Sequence, residues 1–203
     1  MELKIESQNL DEYLKSSDVI DYNSLNIVSL AKSLSEGMEN EIEITERVYE
    51  YVRDEIAHSG DIKTSIVTCN ASDVLEQKHG ICCAKAHLFA ALLRYLNIPV
   101  GFCYQWLISD NEDHSLVIHG LNAVYLRDIK RWIRLDARGN KEGVNAEFSI
   151  DTEKLAWPVR YGLGEKEDPV VYFEPKKEVI EVLRSSKDRK ELSHKWITAN
   201  SGR

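Results

Sequence analysis

Apolar residues recur at helical spacing through most of the first hundred residues of this chain. Apolar positions at Ile44, Val48, Tyr51, Val52 and Ile56 predict a helix over 41–57. A helix-start cluster at 70–73 predicts a short helix that runs to 78, and a longer helix begins near residue 82 and ends around 97, before a proline. Residues 1–37 also have helical spacing and are predicted to be helical and peripheral.

The pattern changes after this helix, because β-forming residues dominate 100–108, 116–126 and 131–135. These ranges predict three strands, joined by a polar turn over 110–114 and a second turn over 128–130. Further along, Val170–Phe173 favours a strand, and the charged stretch from about Lys176 to Arg184 favours a helix. Helices followed by an antiparallel meander indicate an α+β fold.

The same pattern divides the chain into three parts. Residues 1–40 form an N-terminal helical segment, residues 41–175 the core, and residues 176–203 a charged C-terminal helix or tail. At 203 residues, the chain has the length of one domain with appended helices. The pattern gives no indication of an oligomeric state.

Composition narrows the class of partner. The formal net charge of −8 argues against nucleic acid or an anionic membrane as the main partner, since both require concentrated positive charge. No stretch approaches the roughly 20 apolar residues of a membrane-spanning helix, and the acidic N-terminus lacks the apolar run of a signal peptide. We therefore expect a cytoplasmic protein with four reduced cysteines.

Cys82 lies at the predicted start of an apolar helix, directly after Gly80-Ile81. The helix dipole and the unpaired N–H groups of the first turn favour a thiolate there, so Cys82 is a candidate nucleophile. His119 lies in the second predicted strand, and Asp136 directly follows the third. If these strands pair as a hairpin, the imidazole and the carboxylate are neighbours, as general base and orienting acid must be.

These three segments resemble those of the transglutaminase-like superfamily of papain-fold cysteine enzymes. The resemblance covers about 41–140 and is densest from Ser72 to Val100, where Gly80-x-Cys82 and Asn97-Ile98-Pro99-Val100 are similar to the nucleophile segment. The superfamily includes transglutaminases, peptide N-glycanases and many microbial proteins of unassigned substrate, and the chain is identified as a microbial member of this last kind. The resemblance implies a papain-like fold, in which the nucleophile helix packs on an antiparallel sheet.

The resemblance also implies roles for individual residues: Cys82 as nucleophile, His119 as general base and acid, and Asp136 as orienting group. The sequence departs from the family pattern after the histidine, where Gly120-Leu121 replaces a larger residue, and after the aspartate, at Ala137-Arg138-Gly139. The oxyanion of the intermediate requires donors. The backbone N–H of Cys82 is one, and the second is left open among Gln77, His79 and His58.

The expected activity is cysteine-dependent acyl transfer on an amide of a protein or peptide, through a thioester and without a cofactor. Hydrolysis is preferred over cross-linking, because the sequence shows no calcium-ligand cluster. Trp157 is the candidate for the substrate-cleft wall, whereas Cys83 is expected to be structural. Two alternatives remain: a non-catalytic binding or scaffolding module of the same fold, and a zinc site built from Cys82, Cys83, His87 and His119.

Overall fold

Helices dominate the first half of the chain, and the main sheet follows them. The computed structural model describes residues 1–109 and 115–198. The described α-helices are α1 (Leu25–Ser35), α2 (Glu41–Glu55), α3 (Ala71–Gln77), α4 (Cys82–Tyr95), α5 (Lys177–Ser185) and α6 (Arg189–Thr198). The described strands are β1 (Lys4–Ile5), β2 (Ala57–His58), β3 (His79–Gly80), β4 (Val100–Ile108), β5 (Leu116–Leu126), β6 (Arg131–Leu135), β7 (Lys166–Glu167) and β8 (Val170–Val171).

Helix α4 lies at the centre of the molecule. Its residues from Cys83 to Arg94 are all buried and mostly apolar, as expected for a core helix. Its three buried polar side chains, Lys85, His87 and Arg94, contact backbone carbonyls. Helices α1, α2 and α3 pack around α4, and strand β5 covers another side of it. Asn97 adopts a left-handed conformation just after this helix, and Pro99 leads into β4.

The main sheet has the strand order β6-β5-β4-β7. Strands β4 and β5 pair antiparallel along nine residues, from Val100 opposite Val124 to Ile108 opposite Leu116. Strand β6 pairs antiparallel with β5 and brings Leu135 opposite Asn122. The α+β prediction and the predicted antiparallel meander are therefore confirmed. The predicted turn over 110–114 lies outside the described residues.

The prediction of a peripheral helical segment over 1–37 is wrong for its first 24 residues. That part contains the two-residue strand β1 and a 3₁₀ helix over Leu10–Leu14, and only α1 is an α-helix. The segment is anchored in the core, because Tyr13 is fully buried and its hydroxyl donates to the Val171 carbonyl at 3.2 Å. The buried Arg94 guanidinium donates to the Lys15 carbonyl at 2.7 Å, which satisfies a non-helical backbone group.

The C-terminal part carries more structure than its sequence pattern predicts. The predicted charged helix is present as α5, and a second helix, α6, follows it. The Trp196 indole of α6 donates to the Ile118 carbonyl at 2.8 Å, so this helix lies against β5 beside His119. Within the described residues, no helix combines the length and the apolar character that crossing a bilayer requires.

Candidate active site

Cys82 is the first residue of α4, and its side chain is half-buried. Ile81 occupies the N-cap position, and no side chain caps this end of the helix. The N–H groups of the first turn therefore have no capping oxygen, in contrast to α3, where Asn70 and Asp73 form a capping box. The start of α4 thus offers backbone donors beside the thiol.

The structure brings Cys82, His119 and Asp136 together. His119 Nε2 lies 2.8 Å from Asp136 Oδ2, and both side chains are buried. Because Nε2 donates to the carboxylate, Nδ1 is the ring nitrogen that remains for the Cys82 sulfur, with which His119 forms a hydrogen bond. Strand pairing explains this contact, since Leu135 of β6 lies opposite Asn122 of β5, and Asp136 and His119 lie further along these strands in the same direction.

Asp136 is fixed from several directions. Its Oδ2 also accepts the Ala156 N–H at 3.0 Å, and its Oδ1 accepts the Arg138 N–H at 3.2 Å. The Tyr49 hydroxyl donates to its backbone carbonyl at 3.1 Å. These bonds hold the carboxylate in one orientation toward His119, which is the role of the orienting acid in a nucleophile–histidine–acid site.

The electrostatics of the site favour a charged pair. The Cys83 thiol, then the charge and hydrogen bond of His119 and a bond from His58, hold the pKa of Cys82 well below its ordinary value, although burial acts against them. Burial disfavours the charged form of His119, but the Asp136 carboxylate and Cys82 outweigh it and raise the pKa of His119 to about 10. Both shifts favour a thiolate beside an imidazolium.

The other cysteines have the opposite character. Burial raises the pKa of Cys69 to about 11 and the pKa of Cys103 to about 12. Cys83 is buried against β5, and the hydrogen bond that it donates to Cys82 raises its pKa well above the ordinary value. A Cβ added at Gly120 would lie 2.5 Å from Cys83 Sγ, so the absence of a side chain at 120 makes room for this second thiol.

Trp157 lies beside His119. Its ring stands edge-on to His119 with 5.1 Å between the centroids, and its side chain is half-buried. The Arg138 guanidinium lies over the same ring at 5.2 Å and forms an ion pair with Asp61, with Nη2 and Oδ1 2.8 Å apart. The sequence analysis noted Arg138 only as a departure from the family pattern, and no local signal pointed to its contact with Trp157.

Two further side chains at the site have positions that the sequence did not reveal. His58 forms a hydrogen bond to Cys82. In the sequence it was one of three open candidates for the second donor to the oxyanion. Lys85 is buried on α4, and its ammonium donates to the carbonyls of Ile56, Arg138 and Arg53. One lysine thereby joins the end of α2 to the segment that carries Asp136.

The remaining candidates lie elsewhere. His79 is buried with its Nδ1 3.0 Å from the Ser59 hydroxyl, and His87 lies against the Cys69 carbonyl at 2.8 Å. Gln77 is the last residue of α3 and is exposed. Across the part of the chain that the structure describes, no three histidine, cysteine or acidic side chains are grouped so that they could hold a metal ion.

Comparison with known proteins gives a family and a fold. Residues 28–137 match the family model of the transglutaminase-like superfamily. A crystal structure of a proposed cysteine protease from Cytophaga hutchinsonii is similar at a TM-score of 0.53 and 21% identity, over 65% of this chain and 43% of that one. This similarity indicates a shared fold. No curated protein matches the sequence.

Two further solved structures match with lower scores. A proposed protease from Parabacteroides distasonis is similar at a TM-score of 0.41 and 14% identity, over 69% of this chain and 30% of that one. Red sea bream transglutaminase is similar at a TM-score of 0.40 and 14% identity, over 96% of this chain and 33% of that one. The chain therefore spans less than half the length of each of these solved structures.

Proposed function

The chain belongs to the transglutaminase-like superfamily, and this membership indicates a cysteine-based enzyme. We propose that the protein catalyses acyl transfer on an amide through a thioester. In this proposal Cys82 is the nucleophile, His119 is the general base and acid, and Asp136 orients the imidazole. The single observation that carries it is the placement of one thiol at an uncapped helix start, beside a histidine whose Nε2 lies 2.8 Å from a buried aspartate.

The proposed reaction begins from the thiolate–imidazolium pair. The Cys82 sulfur attacks the carbonyl carbon of the amide, and the π electrons of the carbonyl move to its oxygen, which gives a tetrahedral intermediate with an oxyanion. The intermediate collapses as the carbon–nitrogen bond breaks and His119 gives its proton to the leaving amine, which leaves a thioester on Cys82. His119, now neutral, then accepts a proton from water or from a second amine as that group attacks the thioester. The carbon–sulfur bond breaks, which releases the carboxylic acid or the new amide and restores the Cys82 thiolate beside the charged His119.

A protein or peptide is the proposed substrate class, and hydrolysis is the proposed outcome. The half-buried Trp157 beside His119 offers an apolar surface for a substrate side chain next to the reacting atoms.

The proposed location is the cytoplasm. The four cysteines are free thiols, which fits a reducing compartment and supports this proposal.

The pH dependence of Cys82 alkylation by iodoacetamide tests the proposal. We expect the rate, followed by mass spectrometry, to reach its plateau well below the ordinary cysteine pKa of 9.0, because the thiolate is already formed there. In His119→Ala, the apparent pKa should rise, and the rate at neutral pH should fall at least about tenfold. Cys103 in the same molecule is the internal control, since burial raises its pKa to about 12.

The proposal would be contradicted if Cys82 were alkylated as slowly as an ordinary thiol and if His119→Ala did not change that rate. That result would favour the non-catalytic binding module instead. If labelling is fast, incubation with casein and a fluorescent primary amine separates the two outcomes. New peptide termini or deamidated side chains indicate hydrolysis, and fluorescent casein indicates transfer to an amine.

A further inference from the structure

A second histidine, His58, contacts the nucleophile in addition to His119. His58 is the last residue of β2, which pairs in parallel with β3 so that His58 lies in register with Gly80. The Ala57 N–H donates to the Lys78 carbonyl at 2.9 Å, and the Ser59 N–H donates to the Gly80 carbonyl at 3.0 Å. This short parallel pair fixes His58 two register positions from Cys82 and explains the hydrogen bond between their side chains.

Its hydrogen bonds determine which ring nitrogen of His58 carries the proton. Nδ1 accepts the Gly60 N–H at 3.2 Å and faces Nη2 of Arg138 at 3.4 Å. Both partners are donors, and the arginine is always charged, so Nδ1 acts as an acceptor and carries no proton. The proton of the neutral imidazole is then on Nε2, the nitrogen that remains to donate to the Cys82 sulfur.

The surroundings of His58 also keep it neutral. Burial lowers its pKa below the ordinary value of 6.5, and the contact with Cys82 offsets only part of this. The Arg138 guanidinium lowers the pKa of His58 further, whereas the Asp61 carboxylate, whose Oδ1 lies 4.0 Å from Nδ1, has a smaller opposing effect. A neutral imidazole with one fixed N–H is a poor general base but a good donor to developing negative charge, and such divergent environments identify different catalytic roles.

From this geometry we infer that His58 is a catalytic residue that supplies the second donor of the oxyanion hole, together with the backbone N–H of Cys82. The inference rests on the proposed acyl transfer. Before attack, the Nε2–H of His58 bonds to the sulfur, where the negative charge is. As the carbon–sulfur bond forms, that charge moves to the carbonyl oxygen, and the same N–H follows it without giving up its proton.

The donor is held in place before the reaction, as an oxyanion hole requires. A Cβ added at Gly60 would lie 3.1 Å from Nδ1 of His58, so the backbone at 60 approaches the ring closely. Arg138 joins the two halves of the site, because its side chain faces His58 and its backbone N–H donates to Asp136 Oδ1. A donor fixed in this way stabilises the oxyanion without a cost of reorganisation.

Two reagents that react with the same sulfur test the inference. Acylation by p-nitrophenyl acetate passes through a tetrahedral oxyanion, whereas alkylation by iodoacetamide does not. In His58→Ala, we expect acylation at its pH plateau to fall about 10²-fold. Plateau alkylation should change only about threefold for each unit of change in the Cys82 pKa. His58→Gln, which restores an amide donor, should recover about tenfold of the lost acylation rate.

His79→Gln is the matched control, because His79 is also buried, lies in the partner strand β3 and bonds to Ser59. It should leave the ratio of acylation to alkylation unchanged. The inference is overturned if acylation and alkylation fall equally in His58→Ala, or if acylation does not fall. Thermal melting of each variant shows whether that variant is folded. If the wild type acylates no faster than Cys82→Ala, the proposed function itself fails, and the inference fails with it.

Discussion

Two sides of the site each place a histidine beside the Cys82 sulfur, and the two sides differ in secondary structure and in the charge that they favour on the ring. The strand wall, β5 and β6 with His119 and Asp136, is part of the four-stranded sheet, and its carboxylate holds the imidazole charged. The loop wall, residues 57–61 with Arg138, has a two-residue strand pair, and its donors hold His58 neutral. One residue type thus acquires two charge states within a single site, because its hydrogen-bond partners differ.

The difference teaches how acid–base roles can be assigned from the partners of a ring. An imidazole that donates to a buried carboxylate gains stability when it is charged, so it can store and return a proton. An imidazole that accepts from a backbone N–H and faces a guanidinium loses stability when it is charged, so it can only donate its one N–H. Four experiments test whether the two histidines differ in this way.

Removing the negative charge of Asp136 from the strand wall should cause the largest loss of acylation rate. In Asp136→Asn, we expect plateau acylation by p-nitrophenyl acetate to fall about 10⁴-fold, because an amide neither fixes the tautomer of His119 nor stabilises its cation. The pKa of His119 should also fall, so the charged pair is lost at a lower pH on the alkaline side. The measurement is the pH profile of acylation.

Asp61→Asn is the control for that change, since Asp61 is the carboxylate of the loop wall. Its ion pair with Arg138 is partly exposed on the aspartate side, and such pairs contribute roughly 1 kcal/mol or less, so the loss of rate should stay below about tenfold. Equal losses in Asp136→Asn and Asp61→Asn would contradict the distinction between the walls.

The two imidazoles should titrate far apart in the unmodified protein. His119 should stay charged up to a pH of about 10, whereas His58 should lose its charge below 6.5. NMR of ¹⁵N-labelled histidine measures both transitions, and His58→Gln and His119→Ala assign the signals. Two transitions within one pH unit of each other would refute the contrast in charge state.

Lys85 contacts Arg138 of the loop wall and Ile56 directly before it, so its replacement should weaken that side of the site. Its ammonium donates to the Ile56 carbonyl next to β2 and to the Arg138 carbonyl at 2.8 Å. Lys85→Met leaves these buried carbonyls unsatisfied and should lower the free energy of unfolding by about 3 kcal/mol in urea denaturation. Lys78→Met, whose ammonium meets Tyr51 at the surface, should change it by less than about 0.5 kcal/mol. Similar losses in both variants would contradict this role.

A single methyl group at Gly60 should disturb the loop wall alone. Its Cβ would lie 3.1–3.2 Å from the His58 ring, so the ring must shift by a few tenths of an ångström. Gly60→Ala should lower acylation about fivefold and leave alkylation nearly unchanged, since a small misplacement affects only the step that needs the donor. Gly162→Ala, whose Cβ would meet no atom within 4 Å, should change neither rate.

The sequence predicted the structure best where the hydrophobic pattern along the chain already reflects which side chains the fold buries. The apolar stripe after Cys82 predicted a buried helix, because a helix packs its apolar face inside the protein. The β-rich ranges predicted β4, β5 and β6 with the same bounds as the structure. The first 24 residues were misread, because apolar residues in a coil held by Arg94 and Tyr13 have a spacing that resembles a helical one.

From the sequence came the α+β class, the main helices and strands between α2 and β6, and the family, and the same sequence nominated Cys82, His119, Asp136 and Trp157 as a site. Those features are local, since periodicity and short motifs are set by neighbours along the chain. Only the tertiary structure placed His58, Arg138 and Lys85 beside Cys82 and Asp136. Two-residue strands have no alternation to recognise, and the proton on a ring nitrogen is set by partners as distant as 80 residues along the chain.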